Sequence, residues 1–136
     1  MWQYYNANPL GRKVSDCAVR AISLATEQTW DDTYIMLSEY GRKQGITFSE
    51  IEFINDFLSE HYERYCPPRK METVQDFVNL NLPGRWLITM RGHITCVIDG
   101  VIYDTFDCSD NFIWCIYKVK EKKESRLFLL SFFIQT

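Results

Sequence analysis

The sequence lacks the features that mark membrane-spanning, secreted and nucleic-acid-binding proteins. Its longest apolar run near the carboxyl end, residues 127–130, is far too short to span a bilayer. Residues 1–6 contain no charged segment followed by an apolar run, so we expect no signal peptide. No basic block and no stripe of Arg or Lys is present, and the net charge is −3. We therefore expect a cytoplasmic protein that binds neither membranes nor nucleic acids.

The sequence also lacks the cysteine spacing of a metal-binding or disulfide-rich domain. The five cysteines are an odd number at irregular intervals, which indicates reduced thiols in a cytosol. Four of them fit no zinc-ribbon or zinc-finger pattern: Cys66, Cys96, Cys108 and Cys115. We expect no cofactor and no metal. A zinc site that uses His93 stays open as an alternative.

Apolar periodicity divides the chain into a helical part and a sheet part. With 136 residues, 46% of them hydrophobic, and no internal repeat or linker, it has the size and core of one domain, residues 1–136. Helical spacing, caps and breakers predict four helices, at residues 16–26, 30–44, 50–65 and 74–80. After Gly84 the period becomes two, which predicts five strands, at residues 86–90, 93–98, 101–106, 111–119 and 126–134. This order predicts an α+β domain, with helices over about 15–80 and an antiparallel sheet over about 84–134.

Cys17 lies at the predicted start of the first helix. Asp16 or Ser15 can cap this helix, and the stripe that follows is rich in small apolar residues such as Ala18 and Ala21. Free N–H groups and the positive end of the helix dipole favour a thiolate, which is the nucleophilic form of cysteine. The charge of Asp16 opposes this, so Cys17 needs a nearby cation. The alternative is that Cys17 is a small buried apolar residue.

The second half of the chain predicts a partner for the cysteine. Asp99-Gly100 is a strong signal for a two-residue hairpin loop, which places Ile98 opposite Val101. In that register His93 and Asp104 share one face of the sheet as diagonal neighbours, roughly 7–8 Å apart at the backbone. Asp107 falls on the other face. The sequence therefore predicts a His93–Asp104 pair, in which the carboxylate fixes the imidazole tautomer.

Other polar and aromatic residues have structural interpretations. His61 is in a charged helix face and is expected at the surface. Arg20 is expected to pair with Asp16 or with another acidic residue. Asp107 is expected to accept a backbone N–H in its own turn. Trp30, like Trp86 and Trp114, is expected in the core.

The order and local patterns of these residues resemble the papain-like cysteine peptidase superfamily. The motifs are Asp16-Cys17-x-x-Arg20-Ala21-Ile22, then Gly92-His93-x-x-Cys96-Val97-Ile98, then Ile102-Tyr103-Asp104-Thr105-Phe106. The chain is most similar to the small bacterial members that phages or prophages often encode. The resemblance implies a papain-like fold in which Cys17 is the nucleophile, His93 the general base and acid, and Asp104 the residue that orients His93.

The resemblance also implies an oxyanion hole in front of the cysteine. Enzymes of the papain type have a Gln six residues before the cysteine, where this chain has Gly11, and an aromatic residue directly after it, where this chain has Ala18. We assign the side-chain donor to Asn8, with Asn6 as the alternative. The backbone N–H of Cys17 is the other donor.

These residues predict a cysteine-dependent hydrolase. The expected substrate is a protein or peptide, and the expected bond is a peptide, isopeptide or other amide that Cys17 attacks to form an acyl-enzyme. One alternative is acyl transfer by the same residues, as in transglutaminase-like enzymes. Another is a papain-like binding module without turnover that acts on a host or phage protein.

Overall fold

The computed structural model describes residues 1–48, 51–67 and 69–121 and shows a mixed α+β architecture. Four helices lie in the described residues: α1 (Cys17–Thr26), α2 (Trp30–Gln44), α3 (Ile51–His61) and α4 (Val74–Val78). Six strands accompany them: β1 (Trp2–Tyr4), β2 (Glu63–Arg64), β3 (Arg85–Met90), β4 (His93–Ile98), β5 (Val101–Asp104) and β6 (Ile113–Val119). Over the described ranges, none of the helices is both long and apolar enough to cross a bilayer.

The six strands form one sheet in the order β1-β5-β4-β3-β6-β2. The four central strands pair antiparallel, as predicted. β1 pairs in parallel with β5 at one edge, where the sequence predicts only a loop. At the other edge β2 pairs with β6, so α3 ends at His61 instead of continuing to residue 65.

The hairpin between β4 and β5 has the predicted loop. Ile98 lies opposite Val101 and Cys96 opposite Tyr103. Asp99 and Gly100 both have positive φ angles, 49° and 78°, which is the conformation that a two-residue hairpin turn requires. β5 ends at Asp104, two residues earlier than predicted.

The sheet has an apolar cluster on each face. On one face the buried stripe of α1 packs with α2, α3 and alternate residues of the central strands, such as Leu87 and Cys96. On the other face α4 covers the intervening residues, such as Ile88 and Val97. Burial of both faces explains why β3 and β4 are apolar throughout.

Capping explains three of the helix ends. The Thr29 side chain accepts a bond from Asp32 N at 3.0 Å, and Gly45 ends α2 in the left-handed conformation. Thr73 and Asp76 form a capping box on α4. The prediction for α1 is wrong in one respect: Asp16 precedes the helix, but its side chain makes no capping bond because other side chains occupy both carboxylate oxygens.

The predicted strand at residues 126–134 lies outside the described residues. Among the tryptophans, Trp86 is buried as predicted, Trp30 is half-buried, and Trp114 is 48% exposed, which contradicts its assignment to the core.

Candidate active site

The fold brings the three predicted site residues together from three elements. Cys17 is the first residue of α1, His93 the first of β4 and Asp104 the last of β5. Helix α1 packs directly on β4, because its stripe of small residues permits a close approach. The first turn of α1 therefore lies beside the start of β4.

The predicted His93–Asp104 pair is confirmed. His93 Nε2 and Asp104 Oδ2 are 2.6 Å apart, and the two residues are 8% and 3% exposed. Nδ1 is then the ring nitrogen left for another partner. Cys17 lies close enough to His93 and to the Ile94 backbone for both to lower the pKa of its thiol. Cys17 thus lies beside the hydrogen-bonded His93–Asp104 pair.

This environment favours the charged form of Cys17. Burial raises the pKa of the thiol, but the hydrogen bond and charge of His93, the Ile94 backbone and the charge of Arg20 together hold it below its ordinary value of 9.0. The cation that the sequence requires near Cys17 is therefore His93, with a contribution from Arg20.

The imidazole responds in the opposite direction. Burial alone lowers the pKa of His93, but its hydrogen bonds to Asp104 and Cys17 and their charges raise it to about 9. A lowered thiol pKa next to a raised imidazole pKa favours a thiolate–imidazolium pair near neutral pH.

Asp104 is held as a carboxylate by several donors. Burial raises its pKa, but the bond to His93 and further bonds, including one from the backbone N–H of Thr105 at 2.7 Å, keep the pKa below its ordinary value. Arg20 Nη1 donates to Asp104 Oδ1 at 3.2 Å. The buried Cys108 thiol donates to Oδ2 at 3.8 Å.

Arg20 also neutralises the acidic residue beside the cysteine. Its Nε donates to Asp16 Oδ1 at 2.8 Å, while Nη1 contacts Asp104 and the Thr105 hydroxyl. The same guanidinium therefore connects Asp16 on the α1 side with Asp104 on the sheet. The sequence predicted the Asp16 pairing, and the second carboxylate is Asp104.

One group of side chains has the residue types of a metal site. The ligand atoms of His93, Asp104 and Cys108 lie within 4.8 Å of one another. Two of these ligands already bond to each other, and burial raises the pKa of Cys108 to about 12, which opposes the thiolate that zinc requires. The donor set therefore fits a metal poorly and fits a hydrogen-bonded network well.

Asn8 contacts Asp16, the residue directly before Cys17. It is 8% exposed, its Nδ2 donates to Asp16 Oδ2 at 3.3 Å, and its Oδ1 accepts from Leu10 N at 2.9 Å. It does not line the cleft that contains Cys17 and His93. Its role as an oxyanion donor stays a prediction, as does the alternative donor Asn6, whose Nδ2 donates to Arg12 O at 3.1 Å.

An open cleft gives access to the cysteine and histidine. It has a volume of about 360 Å³, and Cys17, His93 and Arg20 are among the residues that line it. Phe106 also lines the cleft, with its ring 4.7 Å from the His93 ring between centroids. Arg12 and Lys13 add two further basic side chains to the lining. A ligand in this cleft would lie beside Cys17 and His93.

Sequence reasoning missed Cys108 as a neighbour of Asp104. It follows the strand in a turn, where Asp107 accepts Ser109 N as predicted, and no local pattern indicates that Cys108 folds back under the sheet. The exposed position of His61 is as predicted, and its ring stacks on Phe57.

No protein-family model, curated protein or solved structure matches this chain.

Proposed function

We propose that this protein is a cysteine-dependent hydrolase of papain-like type that cleaves a peptide, isopeptide or other amide bond. The observation that carries the proposal is the position of Cys17 beside the hydrogen-bonded His93–Asp104 pair, with Cys17 and His93 both lining an open cleft. The order of elements supports it: a cysteine at a helix start, helices between, then a histidine and a carboxylate on neighbouring antiparallel strands.

In the first half of the reaction, the Cys17 thiolate attacks the carbonyl carbon of the amide. A carbon–sulfur bond forms and the carbonyl electron pair moves to oxygen. When the tetrahedral intermediate collapses, the carbon–nitrogen bond breaks and the His93 imidazolium gives its proton to the departing amine. The products of this half are a free amine, a neutral imidazole and an acyl group on Cys17.

In the second half, His93 acts as the base. It takes a proton from water, whose oxygen attacks the thioester carbonyl, and the carbon–sulfur bond breaks to release a carboxylic acid. The thiolate and the imidazolium are then restored. Asp104 stays ionised throughout, because its donors hold its pKa low, and it keeps Nε2 occupied, which leaves Nδ1 as the nitrogen that exchanges the proton.

The oxyanion of each intermediate needs hydrogen-bond donors. The backbone N–H of Cys17 belongs to the first turn of α1, where N–H groups have no acceptor within the helix. Asn8 is the proposed side-chain donor. To reach the oxyanion, its Nδ2 would have to turn from Asp16 toward the cleft.

The test is the pH dependence of alkylation by iodoacetamide, with each cysteine followed by peptide mass spectrometry. We expect Cys17 to react at pH 6 at least about tenfold faster than an ordinary thiol of pKa near 8.5. The exposed Cys66 is the internal reference in the same sample. His93→Gln should slow Cys17 and leave Cys66 unchanged. Alkylation of Cys17 that rises only with the ordinary thiol pKa would count against the hydrolase.

Hydrolysis and acyl transfer share the acyl-enzyme, so an acceptor amine distinguishes them. If an added amine captures the acyl group in preference to water, the transferase is the better description. If Cys17→Ala leaves the biological effect of the protein intact, the binding module is the better description.

A further inference from the structure

A second, larger depression lies beside the cleft, on the far side of Asp16. Its volume is about 590 Å³, within the range of ordinary ligand pockets. Trp30, Tyr34 and Phe48 form an aromatic wall: Trp30 and Tyr34 stack with centroids 5.2 Å apart, and Tyr34 meets Phe48 edge-on at the same distance. Val19 of α1 lies at the base, and Leu10 forms part of the outer edge.

The polar groups at the base of this pocket are already bonded to one another. Asp16 Oδ2 accepts from Trp30 Nε1 at 3.0 Å and from Asn8 Nδ2 at 3.3 Å, while Arg20 Nε occupies Oδ1. The Asn8 carbonyl accepts from the backbone N–H of Leu10. A ligand that packs on the aromatic wall therefore gains mainly by burying apolar surface.

The pocket adjoins the cleft that holds Cys17. Arg12, Val14, Ser15 and Asp16 line both depressions. A peptide that follows this loop would lead from the aromatic wall toward Cys17. Val14, which lines both depressions, is 52% exposed, and Leu10, at the edge of the larger pocket, is 81% exposed, although both are apolar. Exposed apolar residues grouped at one rim are typical of a recognition surface.

We propose that this pocket receives a bulky apolar side chain, aromatic or branched aliphatic, of the peptide whose carbonyl Cys17 attacks. This inference rests on the proposed function and adds to it the class of substrate. The pocket selects for size and apolar character, and the loop of residues 12–16 guides the peptide backbone into the cleft.

The test uses two chloromethyl ketones that differ only in the side chain, N-acetyl-phenylalanine and N-acetyl-glycine chloromethyl ketone. In each, the thiolate displaces chloride, so a carbon–sulfur bond forms and the carbon–chlorine bond breaks. We expect Cys17 to react about tenfold faster or more with the phenylalanine compound, because burial of a phenyl ring supplies binding free energy. A faster reaction with a decanoyl-glycine analogue than with either would identify a fatty acyl chain and overturn the proposal.

Two substitutions that each introduce a carboxylate test whether the preference for the phenylalanine compound arises in this pocket. Leu10→Glu places a carboxylate at the pocket edge and should bring the ratio of the two rates close to one. The matched control is Ile35→Glu, an exposed apolar residue on α2 that does not line the pocket, and it should keep the wild-type ratio. Since Leu10 is 81% exposed, we expect its variant to fold, which circular dichroism checks. Equal ratios in both variants would overturn the proposal.

Failure of the pocket and failure of the hydrolase give different results. Fast alkylation of Cys17 by iodoacetamide at pH 6 with a ketone ratio near one overturns the pocket alone. Slow alkylation by iodoacetamide overturns the hydrolase. In that case, binding of N-acetyl-phenylalanine amide to the Cys17→Ala protein, followed by tryptophan fluorescence, decides the pocket: binding no tighter than that of N-acetyl-glycine amide overturns it, and tighter binding supports it.

Discussion

At the scale of single residues, Arg20 is the side chain that connects the two buried carboxylates of the site. It is one turn after Cys17 and its side chain is 11% exposed. Its guanidinium bonds the carboxylates of Asp16 and Asp104 and the Thr105 hydroxyl. Without it, two buried carboxylates would face the Cys17 region with less positive charge to balance them. Arg20 is therefore a positioning residue: it acts on Cys17 through Asp16 and through the carboxylate that orients His93.

Arg20→Met should keep an aliphatic side chain but lose the positive charge and the guanidinium N–H donors. We expect a loss of about 3–5 kcal/mol in the free energy of unfolding, because two buried acids lose their partner. The pKa of Cys17 should rise, which thiolate absorbance at 240 nm measures. Arg20→Lys should restore part of the charge effect but not the two-carboxylate bridge.

Arg42→Met is the matched control for that substitution. Arg42 pairs with Glu39 on the open surface of α2, so its loss should change neither the stability nor the Cys17 titration noticeably. A stability change for Arg20→Met as small as the change for Arg42→Met would contradict the role assigned to Arg20.

The sequence predicts some residues of the site and misses others for a physical reason. Cys17, His93 and Asp104 are predictable because each lies at a recognisable position: a helix start, a strand start and a register position across a hairpin. The Arg20–Asp104 contact joins segments 84 residues apart, and Cys108 reaches Asp104 from an irregular turn four residues further on, so no periodic pattern contains either contact. Asp16 looks like a cap, but tertiary partners take its oxygens first.

At the scale of elements, local signals are accurate where they are strong. Thr29 and Gly45 define α2 at the predicted bounds, and Asp99-Gly100 defines the β4–β5 register. The edge strands were missed. β1 has three residues, all exposed, so it shows no alternation of buried and exposed side chains. Its parallel partner β5 lies about a hundred residues further along the chain, so the sequence around β1 does not indicate the pairing. A two-residue strand such as β2 has no periodicity to detect.

Gly100→Ala tests whether the hairpin turn defines the element that carries Asp104. At φ 78° an alanine is strained, so we expect the free energy of unfolding to fall by about 1 kcal/mol, measured by urea titration. The conservative control is Asp99→Asn. Asparagine tolerates a positive φ, and its amide oxygen can accept the Gly84 N–H that Asp99 Oδ1 now accepts at 2.7 Å. If Gly100→Ala were as stable as Asp99→Asn, the turn would not be under this constraint.

At the scale of the whole molecule, the site joins the helical part to the sheet. Cys17 comes from α1, while His93 and Asp104 come from β4 and β5, so the ion pair forms only when these parts pack together. The protonation of that pair is therefore coupled to folding. The lowered thiol pKa and the raised imidazole pKa favour one proton on the folded pair near pH 7, on His93, and the unfolded chain holds about one, mainly on Cys17. Wild-type stability should then depend little on this pair at moderate pH.

Cys17→Ala should reveal how the protonation of His93 contributes to the free energy of unfolding. The folded pKa of His93 is raised above 6.5, and after loss of Cys17 the bond to Asp104 still raises it. A raised pKa contributes stability that is full below pH 6.5 and is lost as the pH rises through the folded value. In wild type, Cys17 opposes this loss: its lowered pKa contributes stability that is full above 9.0 and lost as the pH falls through its folded value. The free energy of unfolding of the variant should therefore fall as the pH rises, while that of wild type should change little.

Urea unfolding from pH 6 to 8 measures this difference, because the buried thiols Cys96 and Cys108, whose pKa values are raised, begin to lower the stability only as the pH approaches the ordinary thiol value of 9.0. We expect Cys17→Ala to lose on the order of 1 kcal/mol across this range and wild type to stay nearly level. Adding His93→Gln to the variant should remove the slope. A wild-type curve as steep as that of Cys17→Ala would mean that the folded protein holds a neutral thiol, and the nucleophile would then lack its resting charge.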